Sequence, residues 1–271
     1  MNEHKTLIDL INNKEKLVAM LAPSFPIVFS YPEIITMLKK LGFSYVVEVA
    51  VGAKKTNKQL SALLKADPLA RYITSPCPTI VRMVQKQMPQ YAKYFPVGVD
   101  SPMVATAKII REKYPGHRPV FIGPCYVKKY EANEDVPELN ILVLTYTELK
   151  DVFNHFHVTE DADQHDAFDM SEPGDERMYA MDGGLSHSSG LSDLLKSDEL
   201  KIISGAENNI EAIKEFDTHP TIRLLDILNC EGGCIHGPGI TSSLSTEERK
   251  EKIYHYISEN KNSDMISVNE G

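Results

Sequence analysis

The chain has 271 residues, 42% of them hydrophobic and 25% charged, the proportions of a globular protein, which excludes disorder. Its 29 Lys and Arg against 38 Asp and Glu leave a formal net charge of −9, the wrong sign for a nucleic-acid or anionic-membrane surface as the main partner. The length suits one large domain or two small lobes and can bury a core without disulfide staples.

In chain order, the N-terminal MNEHKTLIDL mixes both charges and lacks a signal-peptide core, and no apolar run reaches the ~18–20 residues of a membrane helix. A cytoplasmic protein with no membrane insertion is expected. Residues 1–16 read as an N-terminal extension. Short apolar runs then alternate with amphipathic stretches, the pattern of an α/β architecture. Strands are expected at Leu17–Leu21, Tyr45–Val51, Tyr72–Thr74, Val120–Ile122, Ile141–Thr145, Lys201–Ser204 and Leu224–Leu228. Helices are expected around Glu33–Leu41, Thr56–Lys65, Pro102–Tyr114 and Asn208–Phe216. Ser101 before Pro102 reads as a helix N-cap with proline at the first helical position. Three strands precede residue 80 and four follow residue 118, which suggests two lobes. The first is 17–118, including the bridging helix; the second is 119–244. Each is expected to be a small, mainly parallel sheet flanked by helices. Glu160 to Glu176 is acidic, lacks apolar periodicity and reads as an exposed loop. Residues 245–271 read as a C-terminal helix and tail, frayed after Ser258.

Four cysteines punctuate this map. Cys77 ends YITSPC, Cys125 ends VFIGPC, and Cys230 ends LLDILNC with Cys234 four residues later. Three strands thus each deliver a cysteine near their carboxyl ends, where open α/β sheets bind ligands. Two of these cysteines follow proline, and Cys234 follows Gly232 and Gly233, which let backbone approach a bulky ligand and aim N–H groups at it. An iron–sulfur cluster suits this arrangement. Zinc suits it less, since structural zinc sites draw on short C-x2-C pairs and this chain has one C-x3-C pair and two distant singles. Buried structural thiols are the plain alternative.

The motifs TSPCP (Thr74–Pro78), GPCYVKKYEA (Gly123–Ala132) and NCEGGCIHGPG (Asn229–Gly239) resemble the three cluster-binding motifs of the iron–iron hydrogenase catalytic domain. LAPS (Leu21–Ser24), LKKLGFSYVVEVAVGA (Leu38–Ala53), DSPM (Asp100–Met103) and DGG (Asp182–Gly184) match in order, from about Leu17 to Gly239. The resemblance implies two α/β lobes with a hydrogen-activating cluster in the cleft. That cluster is a 4Fe–4S cubane on Cys77, Cys125, Cys230 and Cys234, joined through Cys234 to a diiron unit with carbon monoxide and cyanide ligands. It further implies that Ser24 and Lys128 hold the cyanides, Lys128 by a charge-assisted bond. Glu131 would pair with or orient that region, and Ser101, Gly183 and Gly184 would belong to the cofactor pocket.

The departures matter equally. The family's proton-shuttling cysteine is Pro76 here, its pocket glutamine is Met103, and its methionines near the diiron unit correspond to Gly123 and Leu228. The paired glutamates of the usual proton path fall near Gln59–Leu63, which holds no carboxylate. Four cysteines leave none for an accessory cluster, so electrons are expected from an external carrier such as a ferredoxin or a partner redox subunit. Assembly of such a group implies maturation proteins. His236, close to Cys234, reads as a loop histidine without a role. Two functions follow: a minimal hydrogenase interconverting dihydrogen with protons and electrons, or a hydrogenase-like sensor or assembly factor that keeps only the cubane.

Overall fold

A computed structural model describes residues 2–161, 163–172 and 174–267. Seven strands form at the seven expected places: β1 (Leu17–Leu21), β2 (Tyr45–Glu48), β3 (Tyr72–Ile73), β4 (Arg118–Gly123), β5 (Leu142–Thr145), β6 (Leu200–Ser204) and β7 (Leu224–Leu228). Around them run α1 (Glu3–Asn12), α2 (Glu33–Leu41), α3 (Ala50–Ala66), α4 (Pro78–Gln87), α5 (Pro102–Lys113) and the short α6 (Lys128–Tyr130). They are followed by α7 (Tyr146–His155), α8 (Gly184–Ser188), α9 (Leu191–Leu194), α10 (Ala206–Thr218) and α11 (Thr246–Ser267). The local chemistry explains many of the boundaries. Gly42, at φ 106°, closes α2 in the left-handed region. Ser101 Oγ caps α5 by accepting from Val104 N. Thr145 and Glu148 form a reciprocal capping box that starts α7. β2 stops at Glu48, short of the expected Val51, because α3 begins at Ala50.

The strands make two sheets, both parallel, in the orders β2-β1-β4-β5 and β3-β7-β6. The α/β class and flanked parallel sheets match the expectation; the division at residues 118 and 119 does not describe the sheets. β3, from the first expected lobe, pairs with β7, while β4 and β5, from the second, extend β1. Parallel neighbours need long crossovers, so nearness in sequence does not dictate which strands pair. The four-stranded sheet is wrapped by one continuous core that includes Val18, Met20, Phe25, Leu38, Ile122 and Leu149. The three-stranded sheet has separate cores, one built with Ile80, Ile213 and Phe216, the other with Leu60, Leu191 and Leu224. Helices α3 and α5 press together where a Cβ on Gly52 would lie 2.3 Å from Pro102 O and 2.2 Å from Thr106 Oγ1. Glycine is required there by close approach.

Three further expectations are corrected. The N-terminal extension is part of the larger unit: Leu7 is fully buried in its core, and Glu3 pairs with Lys129. The segment before residue 176 is exposed at first but then docks, with Met170 bridging Val47 and Phe168 packing on the core. Helix α11 continues to Ser267, past the expected fraying point at Ser258; the expected tail at 268–271 lies outside the described residues. Among the described residues no helix is long and apolar enough to cross a membrane.

Candidate metal centre

Because every strand pairing is parallel, the carboxyl ends of each sheet gather on one side. β1 is followed in sequence by β2 on one flank and, later, β4 on the other, so the reversal of direction lies between β1 and β4. That is where open α/β sheets open a crevice. Ser24 follows β1, and Cys125 follows β4. In the smaller sheet the adjacent strands β3 and β7 lead into Cys77 and Cys230. These ends face a common cavity with an empty volume of about 900 Å³, lined mostly by apolar groups and containing all four cysteines, Ser24, Lys128 and Asp226.

Each cysteine is set by its own backbone. Cys77 is the N-cap residue of α4, with Pro78 at the first helical position. Cys125 follows Gly123 and Pro124, and its sulfur accepts from the N–H groups of Val127 and Lys128. Cys230 and Cys234 flank a turn in which Gly232 and Gly233 adopt φ 70° and 99°. A Cβ on Gly233 would lie 2.6 Å from Asp182 N, so this turn packs backbone to backbone on the 181–182 segment. Asp182 N donates to Gly232 O there, at 3.2 Å.

All four thiols are unpaired, and each residue keeps part of its surface open. Burial pushes the Cys125 thiol up. Burial, and then the neighbouring Cys77 and Cys125, push Cys230 up to about 11. Burial and the three other thiols hold Cys234 well above the usual cysteine range. Such thiols are protonated in the free protein, and a metal loaded onto them must displace the protons. Among the described residues no three Cys, His, Asp or Glu side chains converge as a site for one ion requires. Four soft donors spread over one cavity wall suit a polynuclear cluster, in which each thiolate takes a different iron.

Lys128 is buried and spans two of the cysteine segments. Its Nζ donates to Pro76 O at 3.0 Å and to Glu131 Oε2 at 2.6 Å. An ammonium has three donors, so one remains beyond these two bonds. Ser24 Oγ lies 2.8 Å from Tyr146 Oη, which also donates to Ala22 O at 2.9 Å. The phenol has one proton for two acceptors; when it serves Ser24, the serine proton is released for the cavity. Pro76 and Met103 line the cavity too, so the two departures read from sequence sit on its wall.

Three expected pocket residues do not line the cavity. Ser101 Oγ is committed to capping α5. Gly183, at φ 71°, precedes α8, and a Cβ on Gly184 would lie 1.8 Å from Met178 O. These glycines fold the segment that presents Met181 and Leu185 to the cavity. Gln59, in the stretch where carboxylates were missing, instead ties the 98–100 loop through bonds to Gly98 O and Asp100 N. His236 bonds Thr246 Oγ1 and Arg249 Nη1 at the base of α11.

Sequence reading missed Tyr146, Tyr179 and Asp226. Asp226 had a visible signal: a lone carboxylate in the apolar strand LLDIL. Tyr146 and Tyr179 had none, because a tyrosine beside a strand end is ordinary.

A family model described as the iron only hydrogenase large subunit, C-terminal domain, matches residues 15–238. No curated protein matches this sequence. Two variants of FeFe-hydrogenase HydA1 from Chlamydomonas reinhardtii superpose with TM-scores of 0.71 and 0.70, at 16% and 18% identity. Each superposition covers 94% of this chain and 89% of the algal one. The HydA(deltaEFG) structure, which concerns stepwise FeFe-hydrogenase H-cluster assembly, superposes at 0.66 with 17% identity and the same coverage. At these identities the structures share the fold.

Proposed function

Because the chain belongs to the iron only hydrogenase large subunit, C-terminal domain family, we propose that it is a hydrogenase. In this reading Cys77, Cys125, Cys230 and Cys234 would hold a 4Fe–4S cubane, and Cys234 would also hold a diiron unit bearing carbon monoxide and cyanide. When bound, that group supplies the electron transfer and the interconversion of dihydrogen with protons and electrons. The observation that carries the proposal is the convergence of three strand ends and the CEGGC turn on one cavity that also contains Lys128 and Ser24.

The chain's own residues have definable tasks. Lys128, fixed by Pro76 O and Glu131, offers its remaining N–H to an anionic ligand atom. Ser24 offers its hydroxyl proton when the Tyr146 phenol donates to it. The apolar lining, with Met103, Phe121, Met181 and Leu228, excludes water. Pro76, a tertiary amide, moves no proton. Electrons come from an external carrier or partner redox subunit, and maturation proteins deliver the diiron unit.

Pro76 and Met103 favour the second reading, a sensor that keeps the cubane and turns over slowly or not at all. Anaerobic reconstitution separates the readings. About four irons per chain, lost in Cys77→Ser and Cys230→Ser alike, are expected for the cubane. After maturation, carbon monoxide and cyanide infrared bands are expected for the diiron unit. Their absence would leave the cubane sensor, and iron unaffected by Cys77→Ser would remove the shared site. Lys128→Met combined with Glu131→Gln should keep the cubane and weaken the diiron bands, without leaving a buried carboxylate unpaired.

A further inference from the structure

The cavity has one carboxyl group among its described lining residues, and it belongs to β7. Asp226 is 2% exposed and sits in register with Ile202 of β6. One of its oxygens, Oδ2, accepts from Ser186 Oγ at 2.7 Å and Ser186 N at 3.2 Å. The Thr74 hydroxyl, just past β3, also favours its charged form. The titratable groups that face it are His187 of α8 and Tyr179 of the 175–180 turn, and no Lys or Arg is among the groups acting on it in the described residues. Neutral donors thus hold a buried acid on the wall of a cavity whose other described lining residues include no carboxyl group.

One polar connection that leads away from the cavity beside Asp226 is unsuited to carrying protons. Tyr179 Oη donates to Asn57 Oδ1 at 2.6 Å, and Asn57 Nδ2 donates to Ser188 Oγ at 3.2 Å. A carboxamide holds both its protons, so this chain of bonds is a brace. Tyr179 is itself pushed well above its usual range, first by burial and then by Asp226.

We propose that Asp226 is the proton-holding carboxyl of this cavity, exchanging one proton with the cavity's contents in the role that Pro76 cannot fill. Its purpose rests on the hydrogenase reading; its geometry does not. The exchange moves a proton alone. The carboxyl O–H bond breaks, the proton passes to a basic group or water in the cavity, and the negative charge stays on the carboxylate. The Ser186 hydroxyl and N–H stabilise that charge with bonds already in place, and the reverse transfer restores the acid. No electron moves at Asp226. Burial, the largest influence, favours the protonated form, while the Ser186 bonds pull the other way; the net direction is up.

The test begins with metal-free protein and an infrared pH titration. A carboxylic-acid C=O band should persist to a pH above the ordinary carboxylate range and should be missing from Asp226→Asn, an isosteric change that still accepts from Ser186. In Ser186→Ala the midpoint should move up, because the lost donor favoured the charged form. A band that titrates in the ordinary range, or that survives Asp226→Asn, overturns the proposal. In matured protein, Asp226→Asn should lower hydrogen evolution per diiron unit by ~10²–10⁴-fold, with carbon monoxide and cyanide bands unchanged and Asp226→Glu restoring part of the rate. An unchanged rate per diiron unit also overturns it. If wild-type protein shows no such bands, the diiron reading fails, and the metal-free titration alone decides whether Asp226 holds a proton.

Discussion

Each sheet buries a carboxylate, one at the end of β2 and one midway along β7, and the two are treated in opposite ways. Glu48 closes β2 of the larger sheet, fully buried. It accepts from Arg177 Nε at 2.8 Å and Nη2 at 3.0 Å, and from Tyr256 Oη at 2.7 Å. Burial pulls the Arg177 guanidinium down, but the bonds to Glu48 outweigh it and the net direction is up. The same guanidinium stacks on Tyr256, 4.7 Å from the ring centre. One carboxylate thereby ties β2, the 175–180 turn and α11 together. Asp226 in the smaller sheet has neutral hydrogen-bond donors instead, and burial pushes it up. The difference shows what a buried acid is for: with a fixed cation it braces the fold, and without one it is free to change protonation. Sheet size follows the same division. The brace sits on the sheet with one continuous core, the exchangeable acid on the sheet whose core is split.

The largest effect should come from breaking the brace. Arg177→Ala leaves Glu48 buried without its partner, and a cost of about 3–5 kcal/mol is expected in chemical unfolding. The double change Glu48→Gln with Arg177→Met should recover much of it; a cost below about 1 kcal/mol for the single change would show that the pair is no anchor. Tyr256→Phe removes one hydrogen bond to a charged acceptor and should cost about 1.5–3 kcal/mol. If hydrogen exchange shows the loss confined to α11, the brace is local; if it extends to β2, the three elements unfold together.

In the smaller sheet, replacing Ile213 by Ala in the core between α10 and the strands should cost about 2–5 kcal/mol. A protection loss limited to β3, β6 and β7 would confirm that the split core isolates this sheet. The smallest effect is the pH dependence of Asp226→Asn in metal-free protein. A carboxyl with a raised folded pKa binds more protons in the native than in the unfolded chain, so its contribution is fully present below the unfolded pKa. It fades as pH rises through the folded value. The variant should therefore gain stability relative to wild type as pH rises through that window and show a constant difference below it. A difference independent of pH would mean that Asp226 resembles Glu48 after all.

Much of the fold was legible because its signals are local. Runs such as LVAML and LLDIL, bounded by turn residues, mark strands that are buried along their whole length. Helix α1 was missed because TLIDLI is short and carries a capping signal too weak to separate from a tail. Helix α7 was missed because it begins directly at a strand end, with Thr145 as both the last residue of β5 and the N-cap, and α4 because its N-cap is Cys77 rather than a residue that signals a helix start. At the site, the cysteines were legible from their place after strands. Gly183 and Gly184 were assigned to the pocket by motif, but the backbone uses them for a turn and a close contact.

Residue order by itself determined where the strands lie and that each cysteine follows one, because strand formation depends on short apolar runs and cysteine placement on the next few residues. Which strands pair was decided only in three dimensions. β3 finds β7 about 150 residues away, and the parallel register that joins them is a property of two crossovers rather than of either strand. The partners of Lys128 were decided there as well: Glu131 is one turn away, but Pro76 O arrives from a different sheet. Most of all, the tertiary structure decided what two acidic side chains do. Glu48 and Asp226 are alike in sequence, each an acid beside β-branched and aliphatic neighbours. Only the packed chain puts Arg177 against one and Ser186 against the other, and in a medium that screens charge poorly, the neighbour sets the role.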